Sequence, residues 1–147
     1  MSLNLDISVE EGLDFSAAEA EPLVRSAVEA TLRNRNVDDA SVSVALLGDA
    51  AIAELNWKYL GHEGPTDVIS FPLWETGEPV VGDIYVGLEQ ARRQAGEIAV
   101  PLSQELQRLV IHGTLHVLGY DHPDGDARLT SDMWLIQEQI VREAEGK

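Results

Sequence analysis

Apolar and polar residues alternate one by one at the start of the chain, with Leu3, Leu5, Ile7 and Val9 separated by Asn4, Asp6 and Ser8. Side chains on a strand point to opposite faces in turn, so this pattern predicts a half-buried β-strand. From Ser16 to about Leu32 the spacing becomes helical, through Ala20, Leu23, Val24, Ala27 and Val28. Ser16 suits the N-cap and Glu19, three residues later, completes a capping box, while Pro22 can shift the true start. Alternation returns at Val42, Val44 and Leu46, and a short helix is predicted from about Asp49 to Tyr59.

Gly61 to Pro65 reads as a loop, and Asp67 to Phe71 as a strand that Pro72 stops or places at a sheet edge. After a turn at Glu75–Pro79, Val80 to Val86 is the fourth strand and Leu88 to Ile98 a helix with Arg92 and Arg93 on its exposed part. Pro101 suits the first position of the next helix, whose apolar stripe is Leu102, Leu106, Leu109, Val110 and Val117 and which Gly119 closes. After turn chemistry at Asp124–Asp126, a last helix from Asp126 to Glu145 is expected to bury Leu129, Met133, Leu135, Ile136 and Ile140. The order implies an α+β fold in one domain spanning residues 1–147, a small mixed four-stranded sheet packed against helices. No repeat, low-complexity tract or linker interrupts it.

Composition narrows the chemistry. There is no cysteine, which excludes disulfides, thiolate metal sites and cysteine nucleophiles. No basic start with an apolar run marks a secretion signal, and no stretch approaches the roughly 20 apolar residues that span a bilayer, so the expected location is the cytoplasm with no membrane partner. Ten basic against 26 acidic residues give a formal charge of −16, which leaves no broad positive surface for phosphates. An RNA substrate would need a local patch, a metal, or a partner that supplies the RNA.

Three of the four histidines fall in His112-Gly-Thr-Leu-His116-Val-Leu-Gly119-Tyr-Asp-His122. Four residues apart on a helix, His112 and His116 project from one side, on a face shared with Glu105 and Arg108. Gly119 lets the chain reverse so that His122 can return to the same point. Three imidazoles with a fourth tetrahedral position open are what a catalytic zinc requires. The spacing matches a protease motif, H-E-x-x-H-x-x-G-x-x-H, except that position 113 is Gly where the protease has its general base. Peptide hydrolysis by that route lacks its base, and Gly113 is expected to leave open space beside the metal for a substrate group.

HGTLHVLGYDH resembles the H-G-x-L-H-x-x-G-Y-D-H signature of the YbeY family of metal-dependent endoribonucleases. PTDVISFP, from Pro65 to Pro72, resembles that family's P-T-D-V-L-S-F-P segment, and Gly82 to Ala95 its G-D-I strand and following helix. The resemblance implies a zincin-like metal helix, one zinc ion per chain held by His112, His116 and His122, and cleavage of single-stranded RNA. It further implies a role in maturation of the 3′ end of the small-subunit ribosomal RNA and in ribosome quality control, with ribosomal proteins and an assembly GTPase as partners. An acidic enzyme could then be brought to its RNA by a basic ribosomal protein.

The family often carries an arginine just before the loop into P-T-D-V, where this chain has Leu60. Either Lys58 or His62 substitutes, or Arg92 and Arg93 do its work, or nuclease activity is weak. Asp121 is a candidate partner for an imidazole N–H or general base, and equally a turn cap. Ser70 and Phe71 line the cleft if their strand is the edge, as the resemblance suggests, and Phe71 suits a core position equally well. Tyr120 reads as packed with its hydroxyl hydrogen-bonded, and Trp57, Trp74 and Trp134 as packing residues rather than base-stacking platforms. The expected chemistry is attack on the scissile phosphate by an activated water, or by the RNA 2′-OH to leave a cyclic phosphate, with zinc as Lewis acid. Two other classes remain: a zinc hydrolase of another substrate such as a peptide, and a non-catalytic ribosome-assembly factor with a structural zinc.

Overall fold

The computed structural model describes residues 2–121 and 131–145, and structural statements here refer to these. His122, the Asp124–Asp126 turn and Leu129 lie outside them. The strands are β1 (Ser2–Val9), β2 (Asp39–Leu47), β3 (Val68–Pro72) and β4 (Val80–Gly87). The helices are α1 (Ala17–Asn34), α2 (Asp49–Leu55), α3 (Leu88–Glu97), α4 (Leu102–Val117) and α5 (Asp132–Glu145). The sheet order is β1-β2-β4-β3, with β1, β2 and β4 parallel and β3 antiparallel to β4. This is the mixed α+β architecture that the residue pattern predicts, with β3 at one edge. Among the described residues no helix is long and apolar enough to cross a membrane.

The alternation decides which face of the sheet is buried. Val42, Val44 and Leu46 of β2 pair in register with Gly82, Ile84 and Val86 of β4 through neighbouring positions, and all six are buried against α1 and α4. Ser16 caps α1 as expected: its hydroxyl accepts from Glu19 N at 3.0 Å and its own N–H donates to the Glu19 carboxylate at 3.0 Å. The helix starts at Ala17 and runs through Pro22, so the proline does not shift its start. α4 is the central helix, packed against α1, α3, α5, β3 and β4.

Glycines bring α4 close to the sheet. A Cβ at Gly82 of β4 would sit 2.6 Å from Val117 Cγ2, and one at Gly113 of α4 would sit 2.8 Å from Ile84 Cγ2. Glycine inside a strand often marks such a close backbone approach. α4 then ends in paired bonds, Gly119 N–H to His116 O at 2.9 Å and Tyr120 N–H to Leu115 O at 3.0 Å, with Gly119 left-handed at φ +105°. Arg35 donates to the Tyr120 hydroxyl at 3.1 Å, which pins the chain beyond α4 to the end of α1.

Several local expectations are corrected. The helix predicted over Asp49–Tyr59 is α2 followed by a π turn, Asn56–Leu60, because the buried Asn56 side chain donates to Gly64 O at 2.9 Å and Gly61 closes the turn at φ +69°. Pro101 is the N-cap of α4, with extended ψ 148°, rather than its first helical residue. Leu135 is 60% exposed, because the buried stripe of α5 is Met133, Gln137, Ile140, Val141 and Ala144. Trp57 is 62% exposed and is no core residue, whereas Trp74 packs on the core and donates from Nε1 to Val117 O at 2.6 Å.

The Gly82–Val117 approach predicts a coupled pair. Gly82→Ala is expected to destabilise the fold by about 1–3 kcal/mol through overpacking. Val117→Ala removes the two methyl groups that a new Cβ would strike. The double variant should therefore lose clearly less than the sum of the single losses in urea denaturation.

Candidate functional site

The face of α4 that points away from the core carries Glu105, Arg108, His112 and His116 in successive turns. They line one wall of a cleft of about 780 Å³. The edge strand supplies Val68, Ile69 and Ser70, the end of α3 supplies Gln94, Glu97 and Ile98, and α5 supplies Met133, Trp134, Gln137 and Glu138. Leu60 reaches it from the π turn.

His112 and His116 meet through their outer nitrogens, with Nε2 to Nε2 at 3.1 Å. The other nitrogen of His112, Nδ1, lies 2.6 Å from Gln137 Oε1. An amide carbonyl can only accept, so Nδ1 carries the proton in this contact and Nε2 presents its lone pair. Gln137 is itself held: its amide nitrogen donates to Glu138 Oε2 at 3.1 Å, which fixes the carbonyl toward His112. Arg108 grips Glu138 with two donors, at 3.0 and 3.1 Å, and Glu105 with a third at 3.0 Å. Burial opposes the Arg108 charge, but the hydrogen bonds and charges of Glu138 and Glu105 outweigh it and raise its pKa. Gln94 completes the row by donating to Glu105 at 2.9 Å.

Position 113 behaves differently from the expectation. Gly113 is buried, and the space a side chain would need holds Ile84 and Val68. It makes room for the sheet and not for a substrate. A glutamate there would point into β3 and β4, which gives a steric reason why the protease base is absent.

Ser70 lines the cleft as the edge position suggested, whereas Phe71 points to the other sheet face, against Tyr59 and Tyr85. The expected cationic residues are not brought into the cleft. Arg92 donates to Asp14 O at 2.8 Å, and Arg93 forms a bidentate pair with Asp49 at 2.8 and 3.0 Å. Lys58 sits 5.3 Å from the Tyr59 ring centroid, and His62 is exposed in the loop beyond Gly61; neither lines the cleft. Asp121 is exposed at the end of the described segment, two residues past Gly119.

Gln137 and the Arg108 network were missed from sequence, although one signal existed. Gln137 stands at i+4 from Met133 and i−4 from Val141, inside the apolar stripe of α5 rather than beside it. A polar residue in a buried stripe needs a partner. With 3% exposure, Gln137 finds it in His112.

The family model described as Endoribonuclease YbeY matches residues 6–145 of this chain. The chain belongs to the YbeY family. Curated YbeY relatives include the Endoribonuclease YbeY of Persephonella marina, 39% identical over 121 residues that cover 80% of this chain and 78% of that one. The Bacillus licheniformis protein of the same name is 42% identical and covers 96% of this chain and 94% of its own. The solution structure of TM1509 from Thermotoga maritima superimposes with a TM-score of 0.68 at 32% identity, over 97% of this chain and 89% of that one. The resemblance first seen in the histidine signature thus extends over nearly the whole YbeY-type chain.

Arg108 is the cation that two half-buried or buried carboxylates share. Arg108→Met is expected to destabilise by about 3–5 kcal/mol, since it leaves Glu105 and Glu138 facing each other uncompensated. Converting both carboxylates to Gln in the same background should restore most of that loss, measured by denaturant midpoint at neutral pH.

Proposed function

We propose that this chain is a zinc-dependent endoribonuclease for single-stranded RNA, acting in the cytoplasm in ribosomal RNA maturation and ribosome quality control. Membership of the endoribonuclease family supports the reaction class. The single observation behind the metal is the pair of Nε2 atoms 3.1 Å apart, with the His112 tautomer set by Gln137. Two nitrogen ligands about 2.0–2.1 Å from one tetrahedral zinc lie roughly 3.3 Å apart, so the pair fits such an ion. His112 and His116 would hold it with His122, whose place after the glycine turn suits a third ligand. When bound, zinc supplies Lewis acidity and lowers the pKa of a coordinated water toward about 7.

The rest of the work falls to the chain. Gln137 keeps the His112 ring in the ligating tautomer, and the Glu138–Arg108 pair keeps Gln137 from flipping its amide. The Ser70 hydroxyl, on the free edge of the sheet, can donate to a phosphate or ribose oxygen. Asp121, next to His122, is the candidate for accepting a proton from the nucleophile. Three of the five Arg108 N–H donors bind the two carboxylates, so its first duty is to the histidine wall rather than the phosphate.

Crowding at Gly113 counts against the peptide-hydrolase reading, since the protease base has no room. The second reading is a non-catalytic assembly factor with a structural zinc, favoured by the acidic lining of Asp67, Glu97, Glu105 and Glu138. Basic ribosomal proteins and an assembly GTPase are the proposed partners in either case.

Purified protein should carry about one zinc per chain and cleave ribosomal RNA, alone or with ribosomal subunits. His116→Ala should stay folded while losing metal and cleavage together. Stoichiometric zinc without cleavage in either setting would leave the assembly factor as the reading. Gln137→Leu, which removes the acceptor but keeps the bulk, should weaken zinc affinity by about 10–100-fold in competition with a chelating dye.

A further inference from the structure

Six large apolar side chains are exposed among the described residues; Leu60 and Ile98 line the cleft, and Leu135 lies on α5 outside its lining. Trp57, Tyr59 and Leu60, the last two 54% and 48% exposed, share one π turn, and Leu73 follows β3 directly. Ile98 lines the cleft at the end of α3. Tyr59 meets Phe71 edge to face with ring centroids 5.3 Å apart, and Phe71 meets Tyr85 in the same manner at 6.0 Å. The row runs from the π turn onto β3 and β4, on the sheet face away from α4. Two neighbours in sequence join it to the cleft: Leu60 and Ser70 line the cleft, while Tyr59 and Phe71 stand beside them.

We propose that Tyr59, braced by Phe71, is a stacking platform for an unpaired base of the RNA strand whose phosphate lies at His112 and His116; this rests on the RNA-cleaving reading above. Charge sets the need. With a formal charge of −16 and its cleft arginine already shared by Glu105 and Glu138, the protein draws little affinity from phosphates. Stacking on an aromatic face is indifferent to charge and to base identity, because every base has a π-face. It requires the base to be unpaired, so the platform selects single strands over duplexes at that nucleotide. Lys58 holds its ammonium over the Tyr59 ring, 5.3 Å from the centroid; a base that stacks on that face displaces it and leaves one cation for an adjoining phosphate. Internal packing does not account for Tyr59, which leaves more than half of its surface in solvent beside its T-shaped contact with Phe71. Tyr59 adjoins the cleft-lining Leu60 and Phe71 adjoins Ser70, so a strand that leaves the cleft around the edge strand reaches the platform, and RNA is the occupant this assigns rather than a separate protein.

The test compares Tyr59→Ala, Tyr59→Leu and Tyr59→Phe with wild type on one single-stranded oligoribonucleotide, with zinc content measured for each. Tyr59→Leu keeps an apolar contact with Phe71 while removing the ring. Loss of the ring, in the Ala and Leu variants, should raise KM by about 10-fold and change kcat by less than about twofold, the split expected of uniform binding. Tyr59→Phe should stay within about twofold of wild type, and zinc content should not change. An unchanged KM in both ring-less variants, on RNA that wild type cleaves, overturns the platform and leaves the cleavage reading intact, with the surface then assigned to a protein partner. Wild type that cleaves no RNA, with or without ribosomal subunits, overturns the cleavage reading and the platform together.

Discussion

The spacing between α4 and the sheet governs where the site can form. Val117 rests where a Cβ of Gly82 would stand, and Ile84 fills the place of a side chain at Gly113. With both positions bare, α4 lies close over β4 and beside β3, and its remaining outward face, His112 and His116 included, opens beside the free edge of the sheet. The cleft is thus a product of packing. A bulkier residue at either glycine would lift the helix and carry both imidazoles away from Ser70 and the edge strand. The side facing the sheet is spent on contact, so catalytic groups can stand only on the cleft side.

The polar contacts behind the histidines follow a different logic. Glu105 and Gln137 are 4% and 3% exposed, and Arg108 and Glu138 are largely covered. Apolar residues of similar volume would fill this helix interface at no loss of stability, because desolvating charges offsets their attraction. Stability is therefore a poor explanation for the network. Its distinctive effect is directional: Arg108 anchors Glu138, Glu138 takes the Gln137 amide nitrogen, and the Gln137 carbonyl is left facing His112. A lone glutamine could present either end to the imidazole, and only one end selects the Nδ1-protonated tautomer.

Much of this was written in period and spacing. Alternation placed β1 and β2 because each buries one face only, and the His112–His116 spacing on a helix closed by Gly119 placed two imidazoles together. What escaped depends on contacts between distant segments. The π turn at Asn56–Leu60 exists because Asn56 reaches Gly64, a bond with no trace in helical periodicity. Trp57 was expected to be packed because tryptophan usually is, and the turn instead presents it to solvent. Arg92 and Arg93 looked available because a helix pattern shows exposure but not partners, and Asp14 and Asp49 take them. Gly113 was read as open space since sequence reveals an absent side chain and not what occupies its place.

Charge remains the demanding part of an RNA-cleaving reading, and distance decides how demanding it is. At physiological ionic strength, screening acts over about 8 Å, so most of the acidic surface is invisible to a phosphate in the cleft. What counts is the lining, which among the described residues carries Asp67, Glu97, Glu105 and Glu138 beside Arg108 alone as a cation. Among the described lining residues four carboxylates against one guanidinium leave three net negative charges, which a divalent cation held at the histidines, as proposed, would reduce to one. Two of those carboxylates are already directed at Arg108, and Asp67 turns its oxygen to the Val68 N–H at 2.7 Å. On the proposed zinc reading the cation would therefore have an electrostatic duty before any chemistry, since without it the phosphate would meet an acidic wall. Under that proposal metal binding and RNA binding would be coupled, and the neutral bases of the strand would contribute the affinity that its phosphates cannot.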